Sequence, residues 1–333
     1  MGVLIIAEAG VNHNGCYDLA IQLCDAAKNA GVDAIKFQTW KTENIVTSSA
    51  ELASYQEKNI ENKNETQFQM LKKLELSYED FSNIKKYCDS IGLVFLSTPD
   101  DEESLEFLLT LNLPFLKIGS GEVTNIPYLR KIGSKKIKVL LSTGMSYLGD
   151  VESAIRVLKE SGVKEVGLLH CTSNYPCPME EVNLNAMLTL KHAFKCEVGY
   201  SDHTLGIEIP IAAVAMGATI IEKHFTLDQN MDGPDHKASL NPKELATMVE
   251  SIRNIEKALG DGIKRPNKSE IEISLVVQKR IVAKDLINKG DVLSIQNMTV
   301  KRNSTGYPAS YWDLLIGQKA ICEFQKDEPI KIS

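Results

Sequence analysis

The sequence predicts an α/β protein, a (β/α)8 TIM barrel followed by a small β-rich module. Three observations carry that prediction. Short apolar runs alternate with helix-period stretches eight times within roughly 260 residues, the count and length of such a barrel. Polar and reactive side chains stand at the carboxyl end of run after run, where parallel α/β folds place their ligands. Beyond residue 280 the pattern changes to short β-prone runs between turn signals. A doubly wound open sheet is the alternative, but it needs fewer units and a glycine fingerprint after its first strand. Gly119-x-Gly121 follows the fourth run instead, and Thr124 stands where the third glycine belongs.

The first run, 4–7, ends at Glu8 and leads into Ala-Gly-Val-Asn-His-Asn-Gly. Leu19, Leu23, Ala26, Ala27 and Ala30 then fall at helical spacing, closed by Gly31. The second strand, 34–37, carries Lys36 and Phe37 and runs into Gln38. A long polar excursion, 41–77, departs from the alternation; loops of that length usually carry function or form an interface. Helix 78–91 stops at Gly92, and strand 93–96 runs into Ser97-Thr98-Pro99. Helix 101–111 and strand 115–118 follow, then Gly-Ser-Gly-Glu at 119–122. After helix 126–132, strand 139–141 ends in Ser142-Thr143-Gly144-Met145. Helix 150–161 and Gly162 precede strand 166–169, which ends in His-Cys-Thr-Ser-Asn-Tyr. After helix 184–194, strand 197–200 ends in Ser201-Asp202-His203. Helix 207–217 then leads to strand 220–223 and His224. Helix 242–259 completes the series.

The barrel is expected to span residues 1–260 and a polar, lysine-rich linker 261–279. The small module, 280–333, has β-prone runs at 281–282, 292–293, 298–300, 319–322 and 330–332. The chain has a net charge of −7, which argues against a nucleic-acid binder. The charge is uneven: residues 279–333 carry +3, so the rest carries −10. No stretch is apolar for long enough to span a membrane, and no charged signal-peptide head precedes the first strand, so a cytoplasmic protein is expected. Seven cysteines form no C-x-x-C pair. Reduced, buried thiols are expected at Cys16, Cys24, Cys88 and Cys196, and zinc is not expected at Cys171 and Cys177.

The strand ends define the chemistry. One rim collects Glu8, Asn12, Lys36, Gln38, Thr98, Lys117, Ser120, Glu122, Ser142, Tyr175, Ser201, Asp202, His203, Glu222 and His224. His203 and His224 close consecutive strands; brought together, two imidazoles suit a borderline divalent metal, although each can also simply cap its strand. Lys36 and Lys117 lie inside apolar strands, where an unpaired lysine is costly unless an anion faces it. With Thr98, Ser120, Ser142 and Ser201 they make a cradle for a phosphate and a carboxylate; simple pairing with glutamates inside the barrel is the other reading. Glu8 and Glu122 are the acids placed to move protons or stabilise a cation, or else to act as counter-ions for those lysines. No Gly-x-Ser-x-Gly elbow supports a serine hydrolase.

The motifs that fill this rim resemble those of the bacterial sialic acid synthases. They are Ala7-Glu8-Ala9-Gly10-Val11-Asn12-His13-Asn14-Gly15, Lys36-Phe37-Gln38, Ser97-Thr98-Pro99, Lys117-Ile118-Gly119-Ser120-Gly121-Glu122, Ser142-Thr143-Gly144-Met145, His170-Cys171-Thr172, Tyr200-Ser201-Asp202-His203-Thr204, Glu222-Lys223-His224-Phe225-Thr226 and Gly233-Pro234-Asp235-His236. Val300-Lys301-Arg302 is similar to the antifreeze-like (SAF) domain of that family. The resemblance implies condensation of phosphoenolpyruvate with an N-acetylmannosamine-type sugar and water, giving a nine-carbon 2-keto acid and phosphate. The alternative is a synthase that uses a diacetamido-trideoxyhexose, of the legionaminic or pseudaminic type, which these motifs do not separate; Gly233-Pro234-Asp235-His236 resembles the sialic and legionaminic branches more.

By that resemblance, His203 and His224 hold Mn²⁺, or Mg²⁺ or Co²⁺, which polarises the sugar aldehyde. Glu8 and Glu122 handle protons and stabilise the cation formed at carbon 2. Lys36, Thr98, Lys117, Ser120, Ser142 and Ser201 contact phosphoenolpyruvate, while Gln38, Tyr175, Asp235 and Arg302 contact the sugar. Ser173 stands where some members have Asn. The resemblance also implies a domain-swapped homodimer, in which the small module caps its partner's barrel. Two other functions compete. A sugar-phosphate synthase of the shikimate or KDO kind would need an arginine cluster at the rim, and none is found. A non-catalytic carbohydrate-binding protein would not need the full set of Lys, Glu and His.

Overall fold

In the computed structural model, residues 2–60 and 65–331 are described. Residues 61–64 of the predicted excursion and Ile332 at the end of the last predicted run lie outside the described residues. The chain divides into two compact units, Met1–Gly260 and Asp261–Ser333.

The first unit alternates strand and helix: β1 (Leu4–Gly10), α1 (Tyr17–Ala30), β2 (Ala34–Thr39), then α2 (Thr42–Ile45), α3 (Ser54–Asn59) and α4 (Gln67–Leu74) in the excursion. It continues with α5 (Tyr78–Ile91), β3 (Val94–Pro99), α6 (Glu102–Leu109), β4 (Leu116–Ile118), α7 (Ile126–Ser134), β5 (Val139–Ser142) and α8 (Leu148–Ser161). Last come β6 (Val166–His170), α9 (Asn185–Phe194), β7 (Val198–Asp202), α10 (Glu208–Ala215), β8 (Ile220–His224) and α11 (Pro242–Leu259). The eight strands hydrogen-bond in the order β3-β2-β1-β8-β7-β6-β5-β4, every pair parallel. The two ends of that order, β3 and β4, pack side by side and close the barrel.

Local chemistry explains the helix ends. Ser77 caps α5, its hydroxyl accepting from the Asp80 amide, and Asn241 caps α11 with Pro242 behind it. Gly31 and Gly92 end α1 and α5 in the left-handed region, at φ 80° and 64°.

Strand period decides what faces inward. Ile6, Ala34, Leu96, Leu140, Leu169 and Ile220, one from each of six strands, fill the barrel interior. Their odd-numbered or even-numbered neighbours, such as Ile5, Ile35, Phe95, Leu141, Leu168 and Ile221, pack outward against the helices. This interior layer forms the floor of whatever lies at the strand ends. Gly199 on β7 permits the approach of β8: a Cβ there would stand 2.2 Å from the Ile220 carbonyl oxygen.

The excursion packs Ile60, Met70 and Leu74 against Val11 and Trp40 at the ends of β1 and β2, so it is structured where a polar loop was expected. The second unit holds α12 (Lys268–Val277), β9 (Lys279–Ala283), β10 (Met298–Arg302) and α13 (Trp312–Leu315) around Ile281, Ala283, Ile287, Leu293, Met298, Leu315, Ala320, Phe324 and Ile330. A helix therefore stands in the predicted linker, where Asn267 and Glu270 supply a capping box. The runs at 292–293 and 319–322 are too short for a ladder. Val292 and Lys319 make one isolated bridge, and β9 and β10 form a two-stranded antiparallel sheet. All seven cysteines are free; Cys24 and Cys88 are buried, but Cys16 is exposed and Cys196 half-buried, contrary to expectation.

Candidate active site

A cavity of about 580 Å³ opens at the carboxyl ends of the strands. Inward-facing residues repeat every second position, so each strand stacks a polar group above the apolar floor. Above Ala34 come Lys36 and Gln38; above Leu96, Thr98 and Asp100; above Leu140, Ser142; above Ile220, Glu222 and His224. Of the predicted site residues, Glu8, Lys36, Gln38, Thr98, Lys117, Ser120, Ser142, Tyr175, Ser201, His203 and His224 all line this cavity. Three do not. Glu122 stands just beside it, half-buried, its Oε2 accepting from Asn125 Nδ2 at 2.6 Å. Asp235 is buried behind His224, with Oδ2 3.6 Å from Nδ1. Arg302 lies at the end of β10 in the second unit, exposed.

Both readings of the lysines hold at once. Lys36 Nζ lies 2.8 Å from Glu8 Oε2 and 3.7 Å from Glu222 Oε2, and it donates to Thr98 Oγ1 at 3.1 Å. Lys117 Nζ lies 3.5 Å from Glu222 Oε1, which also accepts from Ser201 Oγ at 2.8 Å. The ion pairs make burial of the lysines tolerable, and their ammonium groups still face the cavity. Burial raises the pKa of Glu222, but Lys117, Lys36 and the Ser201 hydroxyl outweigh it and hold the group below the usual carboxylate range. Glu8 goes the other way: burial and the nearby Glu222 charge outweigh Lys36 and push it up. Of two glutamates sharing one lysine, Glu222 stays ionised at neutral pH, while Glu8, pushed up to about 7, is the one that takes up a proton first. The Ser142 hydroxyl is buried with no hydrogen-bond partner among the described residues, a donor waiting for an acceptor.

The two imidazoles meet as predicted, ring centroids 5.5 Å apart and nearly perpendicular, with the Tyr175 ring 4.1 Å from His203 and 5.4 Å from His224. Burial lowers His203 to about 4 and, with the neighbouring His203, takes His224 well below its ordinary value, so both are neutral at pH 7. His203 Nδ1 lies 2.6 Å from the Thr172 carbonyl oxygen. A carbonyl only accepts, so the proton sits on Nδ1 and the lone pair on Nε2. His224 Nδ1 has no hydrogen-bond partner among the described residues. This donor set fits a divalent cation. No cluster of three or more His, Cys, Asp or Glu among the described residues is arranged around one, so two imidazoles would leave further positions to substrate and water.

A buried ion pair stiffens the wall behind the histidines. Asp202 and Lys223 face outward on β7 and β8, fully buried, with Nζ 2.5 Å from Oδ2; Thr204 donates to the same aspartate. Each is the chain neighbour of a site histidine.

Several lining residues were not among the candidates. Tyr55, from the excursion, reaches the cavity and packs on Tyr175 at 5.0 Å, which only the length of that excursion signalled. Cys171 lies 3.2 Å from Ser120 Oγ, and Ser173 and Asn174 both line the wall. Asp100 is the other addition. Its place two residues after Thr98 was the available signal, masked by the adjacent Asp101 that caps α6.

The NeuB family profile matches residues 23–264, and the SAF domain profile matches residues 280–333. The N,N'-diacetyllegionaminic acid synthase of Campylobacter jejuni is 49% identical over 98% of each chain. That of Legionella pneumophila is 46% identical over 96% of this chain and 90% of its own. A crystal structure of N-acetylneuraminic acid (sialic acid) synthetase from Leptospira borgpetersenii superposes with a TM-score of 0.71 at 37% identity, covering 82% of this chain and 92% of its own.

Proposed function

This chain belongs to the NeuB family, and on that footing we propose that it condenses phosphoenolpyruvate with an N-acetylated amino sugar and water to give a nine-carbon 2-keto acid and phosphate. The observation that carries this reading is the pair of buried lysines, Lys36 and Lys117, sharing Glu222 beside the unpartnered hydroxyl of Ser142. When Glu8 takes up its proton, two ammonium groups face one carboxylate, and the excess positive charge favours an anion. Phosphoenolpyruvate brings a phosphate and a carboxylate, one for each lysine, with Thr98, Ser120, Ser142 and Ser201 as further hydrogen-bonding groups.

In the reaction, carbon 3 of the enol forms a bond to the sugar aldehyde carbon, whose oxygen takes up a proton. Glu8, its pKa pushed up to about 7 by burial, exchanges a proton near neutral pH and is the group to supply it. Carbon 2 becomes cationic, and the ionised Glu222 inside the cavity offsets that charge. Water adds at carbon 2, and phosphate leaves as the carbon–oxygen bond breaks. His203 and His224 would hold a divalent ion, Mn²⁺ foremost with Mg²⁺ or Co²⁺ also suited, which as a Lewis acid polarises the aldehyde.

The acceptor is a neutral sugar. Among the described residues, Lys36 and Lys117 are the cationic side chains lining the cavity, and both are taken up by phosphoenolpyruvate, so nothing there receives a second phosphate. N-acetylmannosamine and 2,4-diacetamido-2,4,6-trideoxymannose both meet that condition. Identities of 49 and 46% with two legionaminic acid synthases, against 37% with a sialic acid synthetase, favour the diacetamido sugar. Phosphate release measured with these two sugars and with N-acetylmannosamine 6-phosphate tests the reading: the diacetamido sugar should give the highest kcat/KM. Turnover that requires the 6-phosphate would overturn it.

The assembly we propose is a homodimer in which the small module serves the partner's barrel. Its support is the charge of +3 on residues 279–333 against −10 on the rest, and the exposed Ile271, Ile273, Leu275, Val276 and Val277 on α12. No helix among the described residues is long and apolar enough to cross a membrane.

A further inference from the structure

Asp100 follows the last residue of β3 and continues its inward-facing series. Leu96 belongs to the apolar floor, and Thr98 accepts from Lys36 Nζ at 3.1 Å. Two residues further along a strand is roughly 7 Å, so Asp100 stands nearer the mouth than the lysine level. It lines the cavity and, on its other side, a second groove of about 760 Å³ bordered by Asn44, Asn125 and Tyr128. Its carboxyl makes no hydrogen bond or ion pair with any described residue. Burial, aided by the charges of Glu122 and Glu8, outweighs Lys36 and pushes its pKa up to about 7.

A half-buried carboxyl with no partner inside the protein, opening onto a cavity, is free to accept from a ligand bound there. The deeper tier is matched to an anion. What arrives above it carries hydroxyl and amide N–H groups, donors that a carboxylate accepts and that a protonated carboxyl can also pair with. From this placement we infer that Asp100 is a specificity-determining residue that hydrogen-bonds a hydroxyl or amide N–H of the acceptor sugar. The inference rests on the synthase reading for the identity of the ligand, and it brings part of the acceptor sugar, away from its reacting aldehyde, to the β3 side.

Two variants test it, Asp100→Ala, which removes the group, and Asp100→Asn, which keeps its size and hydrogen-bonding capacity. For Asp100→Ala the acceptor KM should rise about tenfold or more, the loss expected of one substrate hydrogen bond, while the phosphoenolpyruvate KM stays within about twofold. Asp100→Asn should recover most of that loss. Equal rises in both KM values, or an acceptor KM unchanged in Asp100→Ala, would overturn the assignment. Ligand-observed NMR of 2,4-diacetamido-2,4,6-trideoxymannose binding without phosphoenolpyruvate keeps the two claims separate. Weaker binding to Asp100→Ala than to wild type supports the Asp100 assignment even if the wild type does not turn over, an outcome that would sink the synthase reading alone. Equal binding, or none to either protein, overturns the Asp100 assignment.

Discussion

Replacing Lys36 with methionine removes the charge that the inner site is built on and leaves its volume nearly filled. Lys36 is 2% exposed, and its contact with Glu8 at 2.8 Å amounts to roughly 6 kcal/mol of attraction at an effective dielectric of about 20. Most of that offsets the desolvation of the two ions, so the measurable cost of breaking the pair is about 3–5 kcal/mol. Glu8 limits the loss, because its pKa is already raised and rises further without Lys36. A carboxyl whose folded pKa lies above its unfolded value contributes stability at low pH and loses it as pH rises through the folded value. The Lys36→Met penalty should therefore be small near pH 6 and approach about 3 kcal/mol near pH 8.5. Lys36→Met/Glu8→Gln, which removes both charges, should unfold within about 1 kcal/mol of wild type at either pH. Urea unfolding of the three proteins at both pH values measures this, and phosphate release measures function, which both variants should lose. A single variant as stable as wild type at pH 8.5, or one with an unchanged phosphoenolpyruvate KM, would refute the account of this ion pair.

Metal binding should depend weakly on pH through the neutral range. The His203 pKa lies near 4, so the thermal shift produced by Mn²⁺ should persist from about pH 8 to 5 and fade towards pH 4; His203→Ala should abolish it together with turnover. Glu122→Gln is expected to lower kcat about a hundredfold if this acid moves into the site with substrate; a raised sugar KM at unchanged kcat would show a binding role instead. Mixing His203→Ala with Arg302→Ala after co-refolding should restore up to about a quarter of wild-type activity if the small module serves the partner's barrel. No recovery would place each module with its own barrel.

The barrel was legible because strand period and helix period alternate throughout apart from the excursion 41–77, and helices 78–91 and 242–259 match α5 and α11 to the residue. Most of the site was legible for the same reason. Once Lys36, Ser142, Ser201, Glu222 and His224 are known to end strands of one barrel, closure alone brings them together. Asp100 was hidden by its neighbour, since Pro-Asp-Asp reads as a helix start and Asp101 does cap α6. Tyr55 depends on how the excursion folds back over the barrel, which no local period reports. The helix α12 was missed because its apolar residues do not keep to one face, and the isolated bridges of the small unit are too short to carry a strand signal.

The most direct test of the central claim follows the bridging oxygen of phosphoenolpyruvate. With that oxygen isotopically labelled, and 2,4-diacetamido-2,4,6-trideoxymannose and Mn²⁺ supplied, mass spectrometry should find the label in the released phosphate and a solvent oxygen in the 2-keto group of a nine-carbon acid. Label retained in the keto product, or phosphate released without the sugar, would contradict it.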